Sequence, residues 1–379
     1  CPFSCSYCLS SIDKCLRFRE IELVKKELQF FIDKKVPQVK FVDRTFNCRH
    51  DHAMAIWTYI HEHDNGITNF HFEVSADLLN EKEIALINRM RPGLIQLEIG
   101  VQSANEITIR EINRTMKIDV LSTIVDKIKK GNNVHQHLDL IAGLPYEGYE
   151  SFGKSFDRVY KMNPEQLQLG FLKVLKGSVM HDRAQEYGIV YQDRAPYEVL
   201  STKWLTYAEV IRLKQIEEMV EVYYNSGQFC CTMAALEQEF ASPFCMYECL
   251  AAYYDEKNAF AVSHSRIGRY EILYDFIVKT CKERSEQYME MLTLDMYLRD
   301  NVKKRPEFLR ESGVSSDEAA AFYKKEEKER TYLKAYEGYD RRQMRKMTHL
   351  ERIDGKTVLF DYKNRDPLTG NAAIYYLSE

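Results

Sequence analysis

The chain has 379 residues, enough for one large domain or two ordinary ones, and its 45% hydrophobic and 29% charged residues mark a globular protein. A formal charge of −4 leaves no broad basic field, so composition argues against a nucleic-acid partner. No apolar run approaches the roughly 18 residues of a membrane span. The ten cysteines are scattered, with Cys230 and Cys231 adjacent, which is not a secreted disulfide framework. Reduced thiols and a cytoplasmic location are expected.

The chain opens on Cys1-Pro2-Phe3-Ser4-Cys5-Ser6-Tyr7-Cys8. Three residues and then two between thiols let a short loop curl around an iron–sulfur cubane and ligate three of its four irons, leaving the fourth open. Adding Cys15 would allow an all-thiolate zinc site or a closed four-cysteine cluster. Zinc sites usually come as two close pairs, however, and this group is three plus a straggler.

After the loop, Ile21 to Lys35 reads as an amphipathic helix ended by Pro37, and Val39 to Asp43 as a strand. Helix and strand then alternate: His52 to His63, Phe70 to Ser75, Glu81 to Met90, Leu94 to Val101, Glu106 to Lys130, His135 to Ala142, Tyr149 to Met162 and Gln166 to Leu172. Such repeated βα units predict a parallel sheet. Five strands are visible, and a sixth is expected upstream of Cys1, because a ligand loop of this kind follows a strand. The expected fold is α/β, a partial (β/α)6 barrel over residues 1–190.

Residues 191–379 change character. Tyr197 to Asn225, Met233 to Phe240, Tyr247 to Asp255, Tyr270 to Leu292 and Ser316 to Tyr336 read as helices. Lys356 to Tyr362 and Ala372 to Leu377 flank Asp366-Pro367-Leu368-Thr369-Gly370 and read as a terminal β-hairpin. Tyr223, Tyr224, Phe229, Tyr253, Tyr254 and Phe260 are expected in the core. Cys230, Cys231, Cys245, Cys249 and Cys281 form no compact triad, so no second metal centre is assigned.

Several strand ends carry chemistry. Asp43-Arg44-Thr45-Phe46 follows the first visible strand. Leu97-Glu98-Ile99-Gly100-Val101-Gln102-Ser103 puts Glu98 between two apolar residues, where a carboxylate needs a partner. Leu138-Asp139-Leu140-Ile141-Ala142-Gly143-Leu144-Pro145 does the same for Asp139, which needs either a functional role or a basic neighbour such as Lys173. Arg17 and Arg19, just after the cysteines, could balance an anionic cluster or sit in solvent.

With Tyr7 just before the third cysteine, the opening triad resembles that of the radical S-adenosylmethionine superfamily. Gly100-Val101-Gln102-Ser103 and Asp139-Leu140-Ile141-x-Gly143-Leu144-Pro145 resemble runs in its oxygen-independent coproporphyrinogen oxidase-like members. The Asp43-x-x-Phe46 form is similar to the cobalamin-binding-domain group, with an uncharacterised C-terminal domain. The resemblance implies a 4Fe–4S cluster on Cys1, Cys5 and Cys8. It further implies S-adenosylmethionine contacts from Tyr7, Asp43, Glu98, Gly100, Gln102, Asp139 and Gly143. It implies reductive cleavage to a 5′-deoxyadenosyl radical, an electron donor such as flavodoxin or ferredoxin, and cobalamin held upstream. The alternatives are a cobalamin-independent relative of the oxidases, and a non-catalytic iron–sulfur or zinc module.

Overall fold

The computed structural model describes residues 1–13, 15–302 and 304–377. They form two compact units, residues 1–221 with 242–248, and residues 222–241 with 249–379. The expected boundary near residue 190 therefore falls inside the first unit. No helix among the described residues is long and apolar enough to cross a membrane.

In the first unit, α1 (Ile21–Asp33), β1 (Gln38–Lys40), α2 (His50–Glu62), β2 (Asn69–Val74), α3 (Glu81–Ile87), β3 (Ile95–Gln102), α4 (Glu106–Glu111), α5 (Ile118–Lys129), β4 (His135–Ala142), α6 (Tyr149–Tyr160) and β5 (Gln166–Phe171) follow in order. The strands form one parallel half-barrel in the order β1-β2-β3-β4-β5. Chain order equals spatial order, as successive right-handed crossovers produce. β1 is shorter than the sequence pattern suggests. Phe41 leaves the strand after its N–H reaches the His71 carbonyl (2.9 Å), and its ring stacks on Phe72, 4.5 Å between centroids.

Side chains alternate across this sheet with period two. One face is apolar: Phe70 and Phe72, then Ile95, Leu97, Ile99 and Val101, then Leu138 and Leu140, then Leu167 and Leu169, all buried. The other face is polar. Cross-strand register sets His71 beside Gln96 and His135, Glu73 beside Glu98 and His137, and Gly100 beside Asp139 and Gln168. All-parallel sheets usually bury apolar side chains on both faces, so a half-barrel lined with ionisable groups points to an interior meant for polar contents.

Beyond β5 come α7 (Val179–Asp182), a two-strand ribbon of β6 (Val190–Tyr191) and β7 (Val199–Ser201), and α8 (Tyr207–Val220). The helix expected from Tyr197 thus starts ten residues later. Thr206 accepts from the Glu209 N–H and Glu209 reaches back to Thr206, a capping box that fixes the start, while Val199 is held in the ribbon.

The second unit contains α9 (Cys230–Leu236), the part of α10 (Pro243–Glu256) from Cys249 on, α11 (Arg266–Thr280), α12 (Ser285–Arg299), α13 (Ser316–Glu329), α14 (Arg341–Met347) and β8 (Thr348–Ile353), β9 (Lys356–Arg365) and β10 (Ala372–Tyr376). The expected helix over Tyr270 to Leu292 breaks at Cys281, and that over Ser316 to Tyr336 stops where Arg330 turns left-handed (φ 51°). The terminal hairpin gains a third strand, giving the antiparallel order β10-β9-β8. Asp354 and Gly355, both at positive φ, make the two-residue turn between β8 and β9. Tyr323, Leu333, Tyr336, Met344, Leu350 and Leu359 bury one cluster. Tyr223, Phe229, Tyr253 and Tyr254 are buried as expected, whereas Tyr224 and Phe260 are half-buried.

Phe72 sits between Phe41, Phe46 and Trp57 and is wholly buried. Phe72→Ala should therefore lower the stability of the first unit by about 3–5 kcal/mol, read by chemical denaturation.

Candidate active site

The C-terminal ends of the strands and the opening loop enclose a cavity of about 620 Å³. Chemistry in βα barrels is built at this end, where the βα loops converge. The polar sheet face supplies Glu73, Glu98, Gly100, Gln102, Asp139 and Gln168. The opening loop supplies Cys1, Cys5, Tyr7 and Cys8, and the β1 loop supplies Arg44 and Thr45. Lys173, Glu198, Lys214 and Glu217, from the segments after β5, complete the wall.

Backbone bonds hold the opening loop. The Ser6 N–H donates to the Ile112 carbonyl (2.9 Å), and the Met180 N–H donates to the Ser6 carbonyl (2.8 Å). The Cys1 thiol lies 3.3 Å from the Thr45 hydroxyl, and buried Cys5 lies 3.9 Å from Arg114 Nη1. Among the described residues the three thiols do not converge within 4.8 Å, as donors around one ion would. Cys15 and Cys48 do not line the cavity. All three thiols face the same cavity.

Glu98 and Asp139 each lie within ion-pair distance of a basic side chain, and neither neighbour is Lys173. Glu98 lies 3.0 Å from His71 Nε2 and 3.0 Å from Lys40 Nζ. The His71 contact, with Lys40, outweighs burial and holds the Glu98 carboxyl down at about 2, so it is ionised. Asp139 lies 3.1 Å from His137 Nε2. Burial pushes the Asp139 carboxyl up, and His137 offsets part of that rise. Burial also disfavours the charged His137 ring, but Asp139 and Glu98 prevail and raise its pKa. Glu73, 3.5 Å from Arg44 Nη1, is pushed up by burial and by the Glu98 charge.

Gly100 gives the Gln102 side chain its place. A Cβ there would collide with the Gln102 amide nitrogen, and Gln102 itself sits at φ 74° where β3 becomes irregular. Tyr7 lines the cavity, and burial keeps its phenol protonated. Gly143 does not line it. Its φ of 90° makes the turn after β4, and a Cβ would sit 2.8 Å from Val199 Cγ1. Asp43 is exposed and also outside the wall, to which its loop contributes Arg44 and Thr45 instead. Arg17 pairs with Asp13 (2.7 Å) and Arg19 with Glu27 (2.6 Å), both exposed and away from the cavity.

Arg114 is the residue that sequence reasoning missed. It donates to the Gly100 carbonyl and stands beside Cys5, so one guanidinium joins the thiol loop to the β3 end. Its only sequence signal was a basic residue in the turn between two helices.

Glu147, in the loop after β4, is buried and accepts from the Ser103 and Ser155 hydroxyls, each at 2.7 Å. This ties the loop after β3 to the loop after β4. Two hydroxyls do not offset desolvation, which pushes Glu147 up to about 7 from an ordinary 4.5.

Parts of the chain are similar to known proteins. Residues 1–159 match the radical SAM superfamily, and residues 185–367 match a protein family of unknown function, DUF4080. The chain is 29% identical over 107 residues to the oxygen-independent coproporphyrinogen III oxidase of Salmonella typhimurium, covering 27% of this chain and 23% of the oxidase. It thus spans about a quarter of that relative's length. The radical S-adenosylmethionine methyltransferase TsrM from Kitasatospora setae, solved with cobalamin and a [4Fe-4S] cluster, aligns at 15% identity with a TM-score of 0.44, over 52% of this chain and 37% of that one. The cobalamin-dependent S-adenosylmethionine radical enzyme OxsB aligns at 12% identity with a TM-score of 0.45, over 77% and 52%.

A carboxyl whose folded pKa is raised contributes stability that is complete below about 4.5 and lost as pH rises through about 7. Glu147→Gln keeps an acceptor for both serines and removes that titration. Between pH 5 and pH 8 the wild type should lose roughly 2 kcal/mol relative to Glu147→Gln, measured by urea unfolding of both proteins.

Proposed function

We propose, on the match of residues 1–159 to the radical SAM superfamily, that the protein is an enzyme that cleaves S-adenosylmethionine reductively. Cys1, Cys5 and Cys8 would hold a 4Fe–4S cluster. When bound, the cluster supplies the electron that breaks the sulfonium carbon–sulfur bond, giving methionine and a 5′-deoxyadenosyl radical. One observation carries the reading. The three thiols share a cavity with Glu98, Gly100, Gln102 and Asp139, and no fourth cysteine among the described residues lines it.

The surrounding groups then take roles. Arg114 offsets the negative charge of ligated thiolates at Cys5 and holds the Gly100 carbonyl. Ionised Glu98 and buried Asp139 offer acceptors to the ammonium and ribose hydroxyls of S-adenosylmethionine. Gly100 leaves room for the Gln102 amide and Tyr7 supplies an aromatic wall. Asp43 and Gly143 belong to the same strand-end loops, Gly143 by shaping its turn. The electron would come from a flavodoxin or ferredoxin, in the cytoplasm.

The radical's target is a small molecule that meets Lys173, Glu198, Lys214 and Glu217. A cobalamin-coupled methyl transfer or rearrangement is the outcome supported by the Asp43-x-x-Phe46 form, with the corrinoid held by residues outside this sequence. The 107-residue likeness to the oxidase supports a corrinoid-free outcome on the same machinery. Corrinoid content of the longest natural form of the protein separates the two.

After anaerobic reconstitution and reduction with dithionite, the protein should release 5′-deoxyadenosine from S-adenosylmethionine, and Cys5→Ala should bring the product to background. Equal product from Cys5→Ala would falsify the assignment. Gly100→Ala should retain the cluster's absorbance but weaken S-adenosylmethionine binding roughly ten-fold, about 1.4 kcal/mol, in equilibrium binding.

A further inference from the structure

The second unit holds a cluster that the proposed chemistry does not use. Cys230 and Cys231 open α9, and Asp295 projects from α12 toward them. Their donor atoms all lie within 4.8 Å of one another. The Cys230 and Cys231 sulfurs are 4.0 Å apart, and the Cys230 thiol donates to Asp295 Oδ1 at 3.4 Å. Two Zn–S bonds of about 2.3 Å at a tetrahedral angle set sulfurs about 3.8 Å apart, and one Zn–S with one Zn–O bond sets sulfur and oxygen about 3.5 Å apart. The observed separations are those edges to within a few tenths of an ångström.

Burial and charge give a second, independent line. Asp295 is 1% exposed. Its partners are the N–H groups of Cys231 (2.9 Å) and Thr232 (2.8 Å) and the Cys230 thiol, and among the described residues no basic side chain pairs with it. Buried charges are held by an opposite charge or by a metal. A divalent cation against the carboxylate would supply that opposite charge. Each carboxylate oxygen keeps a lone pair after accepting one N–H, so capping α9 does not use up the donor. Cys230 is exposed, Cys231 half-buried and Asp295 buried, so the group is open to solvent on one side, where a water or small ligand would take the fourth position.

We propose that Cys230, Cys231 and Asp295 form a site for one thiophilic divalent cation, Zn²⁺, separate from the cluster loop. Binding replaces two thiol protons by the ion, so occupancy falls in acid. The adjacent pair takes both sulfur positions from one turn of chain, and α12 supplies the oxygen.

The test uses the full chain with Cys1→Ala, Cys5→Ala and Cys8→Ala, so that the opening loop does not compete for metal. Zinc per chain is measured after desalting, and Cd²⁺ is titrated by its thiolate charge-transfer absorbance. The parent should retain one equivalent of zinc, and adding Cys230→Ser with Cys231→Ser should remove it. Asp295→Asn, which keeps an acceptor for one of the two α9 N–H groups, should retain the Cd²⁺ band but weaken Zn²⁺ binding at least ten-fold in chelator competition. Zn²⁺ should raise the melting temperature of the parent and not of the double serine variant, which separates metal loss from misfolding. Zinc retention that is nil in the parent, or equal in parent and double serine variant, overturns the site. Unchanged affinity in Asp295→Asn overturns the three-donor arrangement.

Discussion

The alternation of side chains along a parallel strand is the constraint on which the first unit rests. One set of alternate residues is bulky and apolar and packs into a core. The set between them is histidine, glutamate, aspartate, glutamine and glycine, aligned across strands by register. Ionisable groups on a half-buried sheet survive by pairing, and they do so along the face: His71 with Glu98, and His137 with Asp139. These pairs belong to one interior because the strands are in register. A slip of one residue would turn the carboxylates into the aromatic layer and the phenylalanines into the cavity.

Much of this was legible before any coordinates. β4 runs from His135 to Ala142 as the pattern gives it, and β2, β3 and β5 agree within a residue, because five to eight apolar-alternating residues between helices admit few readings. The convergence of the cysteine triad with Gly100, Gln102 and Asp139 followed from placing each motif at a strand's C-terminal end. What stayed hidden depended on tertiary partners. The Lys40 and His71 contacts of Glu98 span 58 and 27 positions of sequence, and neither residue lies in a motif. Arg114 is similarly invisible until the turn after α4 is folded beneath the opening loop.

Other misses were local and avoidable. The capping box at Thr206 and Glu209 marks the true start of α8, and Asp354-Gly355 is a strong two-residue turn signal that announces β8. Both were obscured by attending to hydrophobic spacing first. The breaks at Cys281 and Arg330 are different, since neither residue advertises a helix end and packing of the flanking helices decides them.

The wall facing the thiols has a consequence for how such a protein diversifies. Lys173 follows β5, while Glu198, just before β7, and Lys214 and Glu217, on α8, come after the half-barrel strands, within residues matched by the family of unknown function. The parts that would generate a radical and the parts that would meet its target are thus encoded in successive stretches of one polypeptide. Divergence in the later stretch can redirect the attack while leaving the earlier one intact, so kinship in the first 159 residues says little about which molecule is altered.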